Sequence, residues 1–146
     1  MMRLRRNRST SRGQAMVELA FALPIFLVLL IGLVEGGRYV FYSEILNHAA
    51  REGVRYAIIH GQNAEDGSPT GPPHDPSGAA VKQAIRDAAT GVGDPASIVI
   101  PDPVYQPNNN RRGSLVTVTL QYTYTPVVSI FGPISVEAEA SLVIHN

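Results

Sequence analysis

Two residues near the start of the chain, Gly13 and Glu18, have types and a spacing that could support a processing reaction and a charge pairing. Glu18 stands at the edge of an apolar run, and an ionised carboxylate within hydrocarbon costs roughly 2.5–3.5 kcal/mol. Cleavage after Gly13 would create an ammonium group at Gln14. Since the spacing is little more than one helical turn, that ammonium could meet Glu18 of its own or a neighbouring chain. A cut between Gly13 and Gln14 would therefore supply the cation that neutralises Glu18.

The other residues that could carry chemistry do not form a recognisable catalytic or metal-binding pattern. No two of the histidines have the spacing of metal ligands on a helix. No serine lies in a nucleophile elbow, and no glycine-rich loop could hold a phosphate. The chain contains no cysteine, which excludes disulfides and thiolate metal sites. We therefore expect no enzymatic activity, no metal site and no cofactor. The histidines are His48, His60, His74 and His145.

An unbroken apolar run of sixteen residues, 19–34, follows Glu18. As a helix it spans roughly 24 Å, and adding residues 15–18 brings it close to the approximately 30 Å of bilayer hydrocarbon. A cleavable secretory signal normally has a shorter apolar region and small residues beside the cut. A core helix of a soluble protein is disfavoured by the preceding arginines and by sixteen consecutive residues without a strongly polar side chain. The run therefore predicts a single transmembrane helix over residues 14–37.

The charges of the chain are distributed unevenly although the formal net charge is zero. Residues 1–17 contain five arginines and no acid, whereas residues 36–146 contain seven basic and ten acidic residues. Basic residues beside a membrane helix favour the cytoplasmic side. We therefore predict a cytoplasmic leader over residues 1–13 and an extracytoplasmic remainder. Nucleic-acid binding is disfavoured, because the arginines adjoin an apolar helix and no aromatic residues lie among them.

Three residues of the apolar helix suggest packing against other membrane helices. Gly32 and Gly36 form a pair of small residues four positions apart, which lets two membrane helices approach closely. Pro24 removes a helix hydrogen bond to the Ala20 carbonyl and can bend the segment. We assign Pro24, Gly32 and Gly36 to helix packing.

A charged motif, Arg51-Glu52-Gly53-Val54-Arg55, lies on the next part of the helix. Helical spacing places Arg51 and Arg55 on one side and Glu52 on another. Gly53 opens a notch for the close approach of another element. The motif is either an ordinary helix surface with a packing glycine or a subunit contact in which opposite charges set the register between neighbours.

The rest of the chain predicts a small mixed domain. Residues 38–60 have apolar positions at steps of three and four, which indicates an amphipathic helix. We expect it to continue the first helix; the alternative is a separate helix after a break at Gly36-Gly37. A polar loop rich in glycine and proline follows, and Ser77 is the expected N-cap of a second helix that ends at Gly91. Residues 97–100 form a short apolar run bounded by prolines, typical of an edge strand.

Two longer segments, residues 116–125 and 134–144, alternate strictly between apolar and other residues, which indicates half-buried strands. We therefore predict an α+β fold: a long N-terminal helix with a transmembrane half and an amphipathic half, a second short helix and a small three-stranded antiparallel sheet. The predicted regions are a leader (1–13), a transmembrane helix (14–37), a stalk helix (38–60) and an extracytoplasmic head (61–146).

About the first sixty residues of the chain resemble the TadE family of Flp (Tad) pilus assembly proteins, which begin like type IV prepilins. The residues that carry the resemblance are RGQAMVELA at positions 12–20, LP at 23–24, EG at 35–36 and NHAAREGVR at 47–55. The resemblance implies a pilin-like fold and a minor pseudopilin that a membrane prepilin peptidase processes after Gly13. It also implies partners among other pilins, pseudopilins and Tad assembly proteins.

Three classes of function remain open from the sequence. The first is a pseudopilin of the cytoplasmic (inner) membrane that takes part in Flp-pilus assembly and contacts membrane lipid; it predicts a mature chain that begins at Gln14. The second is a signal-anchored single-pass membrane protein with an extracytoplasmic binding module, which predicts an intact N-terminus. The third is a secreted enzyme, which predicts loss of everything before about Gly37.

Overall fold

The computed structural model describes residues 10–63, 67–128 and 132–145. Most of the predicted leader and the middle of the predicted connection between the last two strands lie outside the described residues. The elements are helix α1 (Thr10–Ile59), helix α2 (Ala79–Ala88) and strands β1 (Val104–Gln106), β2 (Leu115–Tyr124) and β3 (Ile134–Val143). The strands form one antiparallel sheet in the order β1-β2-β3. The predicted α+β architecture, with one long helix, one short helix and three strands, is confirmed.

Helix α1 is continuous through Pro24, Gly36 and Gly37, so the sequence does not break it into two helices. The chain nevertheless divides into two compact units, of which the first ends at Gly37 and the second begins at Arg38. In the first unit the large apolar side chains are exposed, Leu33 by 78% and Phe21 by 74%. The helix is long and apolar enough to cross a membrane. It is therefore a candidate membrane anchor.

The core of the second unit forms between the later part of α1, α2 and one face of the sheet. Alternation along β2 buries Val116, Val118 and Leu120, while the residues between them are more exposed. Burial of each such side chain contributes about 1.5–3 kcal/mol. Small buried residues of α1 allow close approach of the other elements: Ala49, Ala50 and Ala57.

A tyrosine cluster closes one end of this core. The Tyr42 ring lies 5.2 Å from that of Tyr122 and 4.9 Å from that of Tyr124. The guanidinium of Arg38 lies 5.1 Å from the Tyr124 ring centre, within cation–π range. These contacts join the start of the second unit to the C-terminal end of β2.

The edge strand predicted over residues 97–100 is wrong in position. Pro95–Ser97 is a single 3-10 turn, and only Val99 pairs with β2, through two hydrogen bonds to Gln121 of 2.8 and 3.0 Å. The edge strand is β1 instead, between Pro103 and Pro107. The reason is the missing backbone N–H of the prolines, which prevents a longer ladder on this side of β2.

The N-cap of α2 is not Ser77, as the sequence predicted, but Gly78, which has a φ of 64°. The Asp75 carboxylate provides the capping acceptor, at 3.1 Å from the amide of Ala79 and 3.3 Å from that of Ala80. Ser77 donates its hydroxyl to Asp75 at 3.0 Å. The left-handed turn at Gly78 brings the aspartate back over the helix start. The helix also ends earlier than predicted, at Ala88.

This capping predicts a pH-dependent contribution of Asp75 to stability. Partial burial raises its pKa, but the hydrogen bonds from Ala79, Ala80, Ser77 and Gly78 outweigh burial and hold the pKa below its usual value. A lowered folded pKa stabilises the fold above the unfolded pKa, and the stabilisation disappears as the pH falls through the folded pKa. Asp75→Ala should cost about 1 kcal/mol at neutral pH.

Urea unfolding of the original chain and of Asp75→Ala at neutral and acidic pH measures this effect. The difference in free energy of unfolding between the two proteins should shrink on acidification. Asp87→Ala, at an exposed position of α2, is the control and should change little. A difference between Asp75→Ala and the original chain that does not depend on pH would contradict the capping role.

Candidate assembly surfaces

The predicted cleavage residues lie in the first part of α1. Gly13 and Gln14 are exposed, and a β-carbon at Gly13 would have no atom within 4 Å. The first four amides of a helix have no acceptor within it, so this end opens at the lowest cost. Glu18 is also exposed, and it forms no ion pair within the described residues. Among the described residues, nothing therefore neutralises its carboxylate.

Helix geometry places Glu18 and the two glycines on one face of the apolar segment. Glu18 and Gly36 are eighteen positions apart, which is five turns of about 3.6 residues, and Gly32 lies within roughly 40° of the same direction. A β-carbon at Gly32 or Gly36 would meet nothing within 4 Å. This face thus combines a carboxylate with positions where another helix can approach closely. Pro24 lies between them inside the helix.

The charged motif of the second unit divides between the interior and the surface. Gly53 faces α2, where a β-carbon would lie 2.7 Å from Cδ1 of Ile85 and closer still to its Cγ1. Arg51 is exposed, and Glu52 accepts a hydrogen bond of 3.2 Å from Nη1 of Arg55. Gly53 therefore sets the distance between the helices, and the charged residues remain on the surface.

These charged residues form one wall of a groove of about 540 Å³. His48, Arg51, Glu52 and Arg55 line it from α1, and residues 139–142 of β3 line it from the other side. The residues on the β3 side alternate between the two faces of the sheet. The groove therefore follows the edge of the strand rather than either of its faces. We name this feature the α1–β3 groove.

Sequence reasoning missed the β3 side of this groove. The alternation of residues 134–144 predicted that Leu142 faces the core, yet its side chain is 45% exposed. The physical reason is its surroundings, because Leu142 lines the groove whose other wall is His48, Arg51, Glu52 and Arg55, whereas Ile144 on the same face is fully buried. The approach of Glu139 to the charged motif depends on the tertiary fold, and no local pattern signals it.

The described residues contain no group of three histidine or acidic side chains that could hold a metal ion. No curated protein and no solved structure shows significant similarity to the chain. The family of TadE-like proteins does match, over residues 13–55. The matched segment begins at Gly13, the glycine of the predicted cleavage site, and ends at Arg55, the second arginine of the charged motif. The match confirms the resemblance carried by these motifs, and together with the apolar helix it fits a Tad-associated membrane protein.

Proposed function

We propose that this chain is a minor pseudopilin of an Flp-type (Tad) type IV pilus, with a structural role in assembly and secretion rather than a catalytic one. The observation that carries the proposal is the family match that starts at Gly13, on a helix whose exposed apolar segment bears Glu18 on the same face as Gly32 and Gly36. In this proposal the chain is held in the inner membrane by a single pass. Its N-terminus is cytoplasmic and its second unit is extracytoplasmic.

Processing and charge pairing are the two steps of the proposed mechanism. A prepilin peptidase hydrolyses the peptide bond between Gly13 and Gln14, which leaves an ammonium group on Gln14. Opposite charges 4 Å apart attract by about 4 kcal/mol at the effective dielectric near a protein surface. This is comparable with the roughly 2.5–3.5 kcal/mol cost of an ionised group in the membrane. Cleavage therefore makes it favourable for Glu18 to enter a helix assembly as half of an ion pair.

The partners in this proposal follow from the surfaces of the chain. Other pilins or pseudopilins pack against the face with Glu18, Gly32 and Gly36, where small residues permit close contact. The α1–β3 groove is a second contact, at which the charged motif meets a Tad assembly protein or another subunit. Lipid covers the remaining apolar side chains of the segment until assembly.

The experiment that tests the proposal determines the N-terminus of the membrane-extracted chain, made in cells that contain its prepilin peptidase. The original chain should begin at Gln14, and Gly13→Ala should retain the leader. Glu18→Gln should be cleaved normally, but its co-purification with Tad components should fall at least about ten-fold, because no carboxylate remains to pair with the new ammonium.

Gly37→Ala provides the matched control, since it changes a helical glycine that also has nothing within 4 Å but lies far from the cut. It should be processed like the original chain. An intact N-terminus in the original chain would contradict the proposal and support the signal-anchored binding module. A mature chain that begins near Gly37 would support a secreted protein, and normal assembly of Glu18→Gln would remove the role of the carboxylate.

A further inference from the structure

One end of the second unit carries large apolar side chains on its surface. Three of them follow one another on α1, and the fourth lies in the connection between β2 and β3, where its side chain is 75% exposed. Single exposed apolar residues are ordinary, but a group of them marks a surface that something else covers. We name this group the apolar rim; its members are Tyr39, Val40, Phe41 and Val127.

The fold brings the two parts of the apolar rim to the same end of the sheet. On α1, Tyr42 directly follows residues 39–41, and its ring lies 4.9 Å from that of Tyr124, the last residue of β2. Val127 comes three residues after Tyr124. Ile134, the first residue of β3, pairs with Tyr124, so the β2–β3 connection both leaves the sheet and returns to it at this end.

The chemistry of this end is typical of the boundary between lipid and water. Residues 125–128, the described start of the connection, contain no charged side chain. Tyrosine rings have an apolar body and a polar tip, and they are enriched where acyl chains meet headgroups. The only cation described in this cluster is Arg38, whose guanidinium lies over the Tyr124 ring. Arginine beside aromatic rings is also common at this boundary.

The place of the apolar rim in the chain indicates what covers it. Residues 39–41 come directly after the predicted membrane segment, and α1 is continuous through this point. At about 1.5 Å per residue, they follow residue 37 by roughly 3–6 Å of helix. The headgroup layer on each side of a bilayer is approximately 5–8 Å thick. A helix that crosses the hydrocarbon up to residue 37 therefore leaves residues 39–41 in that layer.

We propose that the β2–β3 connection is a second membrane contact, which inserts Val127 into the headgroup layer beside Tyr39 and Phe41. The partner is the lipid surface itself. The described start of the connection has no charge with which to select a particular headgroup. Attachment through both the helix and the connection restricts rotation of the second unit about its anchor. This contact rests on the proposed function only for the anchoring of residues 14–37 in a membrane.

Tryptophan fluorescence tests the contact, because the chain contains no tryptophan of its own. The full chain is placed in phosphatidylcholine nanodiscs whose acyl chains are brominated near the headgroup, a quencher that acts at short range. Val127→Trp should lose about half of its fluorescence relative to unbrominated lipid. Val104→Trp is the matched control: this valine is also exposed but pairs with Thr117, roughly 23 Å along β2 from Tyr124. It should lose less than about a tenth.

A charge placed in the connection tests whether insertion is the cause of the quenching. In the Val127→Trp background, Thr125→Glu should lower the quenching about two-fold, because an ionised carboxylate resists transfer from water. Thr125→Gln has nearly the same size and no charge, so it should keep most of the quenching. Thr125 is exposed, and circular dichroism establishes that each variant is folded.

Quenching of Val127→Trp no greater than that of Val104→Trp would overturn the proposal, and so would equal effects of Thr125→Glu and Thr125→Gln. Phe26→Trp, in the apolar segment, separates this contact from the anchor and should be quenched by bromine deep in the acyl chains. Quenching of Phe26→Trp without quenching of Val127→Trp overturns only the second contact. Quenching of Val127→Trp without quenching of Phe26→Trp overturns only the membrane anchoring in the proposed function.

Discussion

Replacement of Gly53 by leucine is expected to destabilise the second unit by about 3 kcal/mol. A β-carbon at this position would lie 2.7 Å from Cδ1 of Ile85 and 3.7 Å from Cγ1 of Val81. Both of these side chains are fully buried, so neither can turn into solvent. The added side chain would force α2 away from α1 and open the core. Urea unfolding of the full chain in detergent, followed by the near-ultraviolet circular dichroism of the tyrosine cluster, measures the loss.

Gly37→Leu is the control for this substitution, because it lies on the same helix with no atom within 4 Å of its β-carbon position. It should not lower the free energy of unfolding, since leucine favours helix more than glycine does. A rescue tests the mechanism directly: Gly53→Ala should cost much less when Ile85 is also replaced by alanine. Equal effects of Gly53→Leu and Gly37→Leu would contradict the close packing of the two helices.

Leu120→Ala is expected to cost about 2–5 kcal/mol, the range for deletion of a buried leucine side chain. Leu120 is fully buried on the central strand β2, so its removal leaves a cavity that the sheet and α1 cannot easily close. The same unfolding measurement determines the loss. If the variant keeps its compact fold, the urea concentration at the unfolding midpoint should fall. The slope of the unfolding free energy against urea concentration should stay constant.

Leu142→Ala is a matched control, because it is the same substitution on the neighbouring strand at a side chain that is 45% exposed. Its cost should be below about 1 kcal/mol, since much of this surface remains in water in the folded chain. Similar costs at the two leucines would show that the core extends to the end of β3 and would contradict the open groove.

The sequence predicted the parts of the fold that depend on local periodicity. Strict alternation along β2 identified Val116, Val118 and Leu120 as inward-facing, because a strand with one buried face must place every second side chain in the core. The long apolar segment identified the candidate membrane helix for a similar reason. Local pattern also indicated that Gly53 permits a close approach, although it did not show that Ile85 of α2 occupies the notch.

The errors arose where tertiary contacts decide between local alternatives. Ser77 and Asp75 are both good capping residues, and the left-handed turn at Gly78 selects the aspartate. Residues 97–100 are apolar enough for a strand, but only Val99 finds a partner on β2. Leu142 continues the alternation of β3 but lies at the groove, although the next residue on the same face, Ile144, is fully buried. None of these outcomes follows from a window of neighbouring residues.

The candidate assembly residues also divide into those that local pattern predicts and those that depend on tertiary contacts. Gly13 and Glu18 were recognisable because both lie in one continuous motif, and the cleavage that they predict stays a prediction. Arg51 was recognised as part of a charged motif, whereas Glu139 was not associated with it. Arg51 and Glu139 line one groove only because α1 and β3 pack beside each other. The sequence alone does not predict the distance between these two elements.

The two edges of the sheet differ in a way that limits the size of any assembly built on it. At one edge, β1 has only three residues and lies between two prolines, which have no backbone N–H to offer a further strand. At the other edge, β3 offers ten residues. A sheet with one blocked end and one open end can accept a single neighbour. Repeated strand addition at both edges of the sheet is therefore blocked at β1, by the same prolines that shorten this strand.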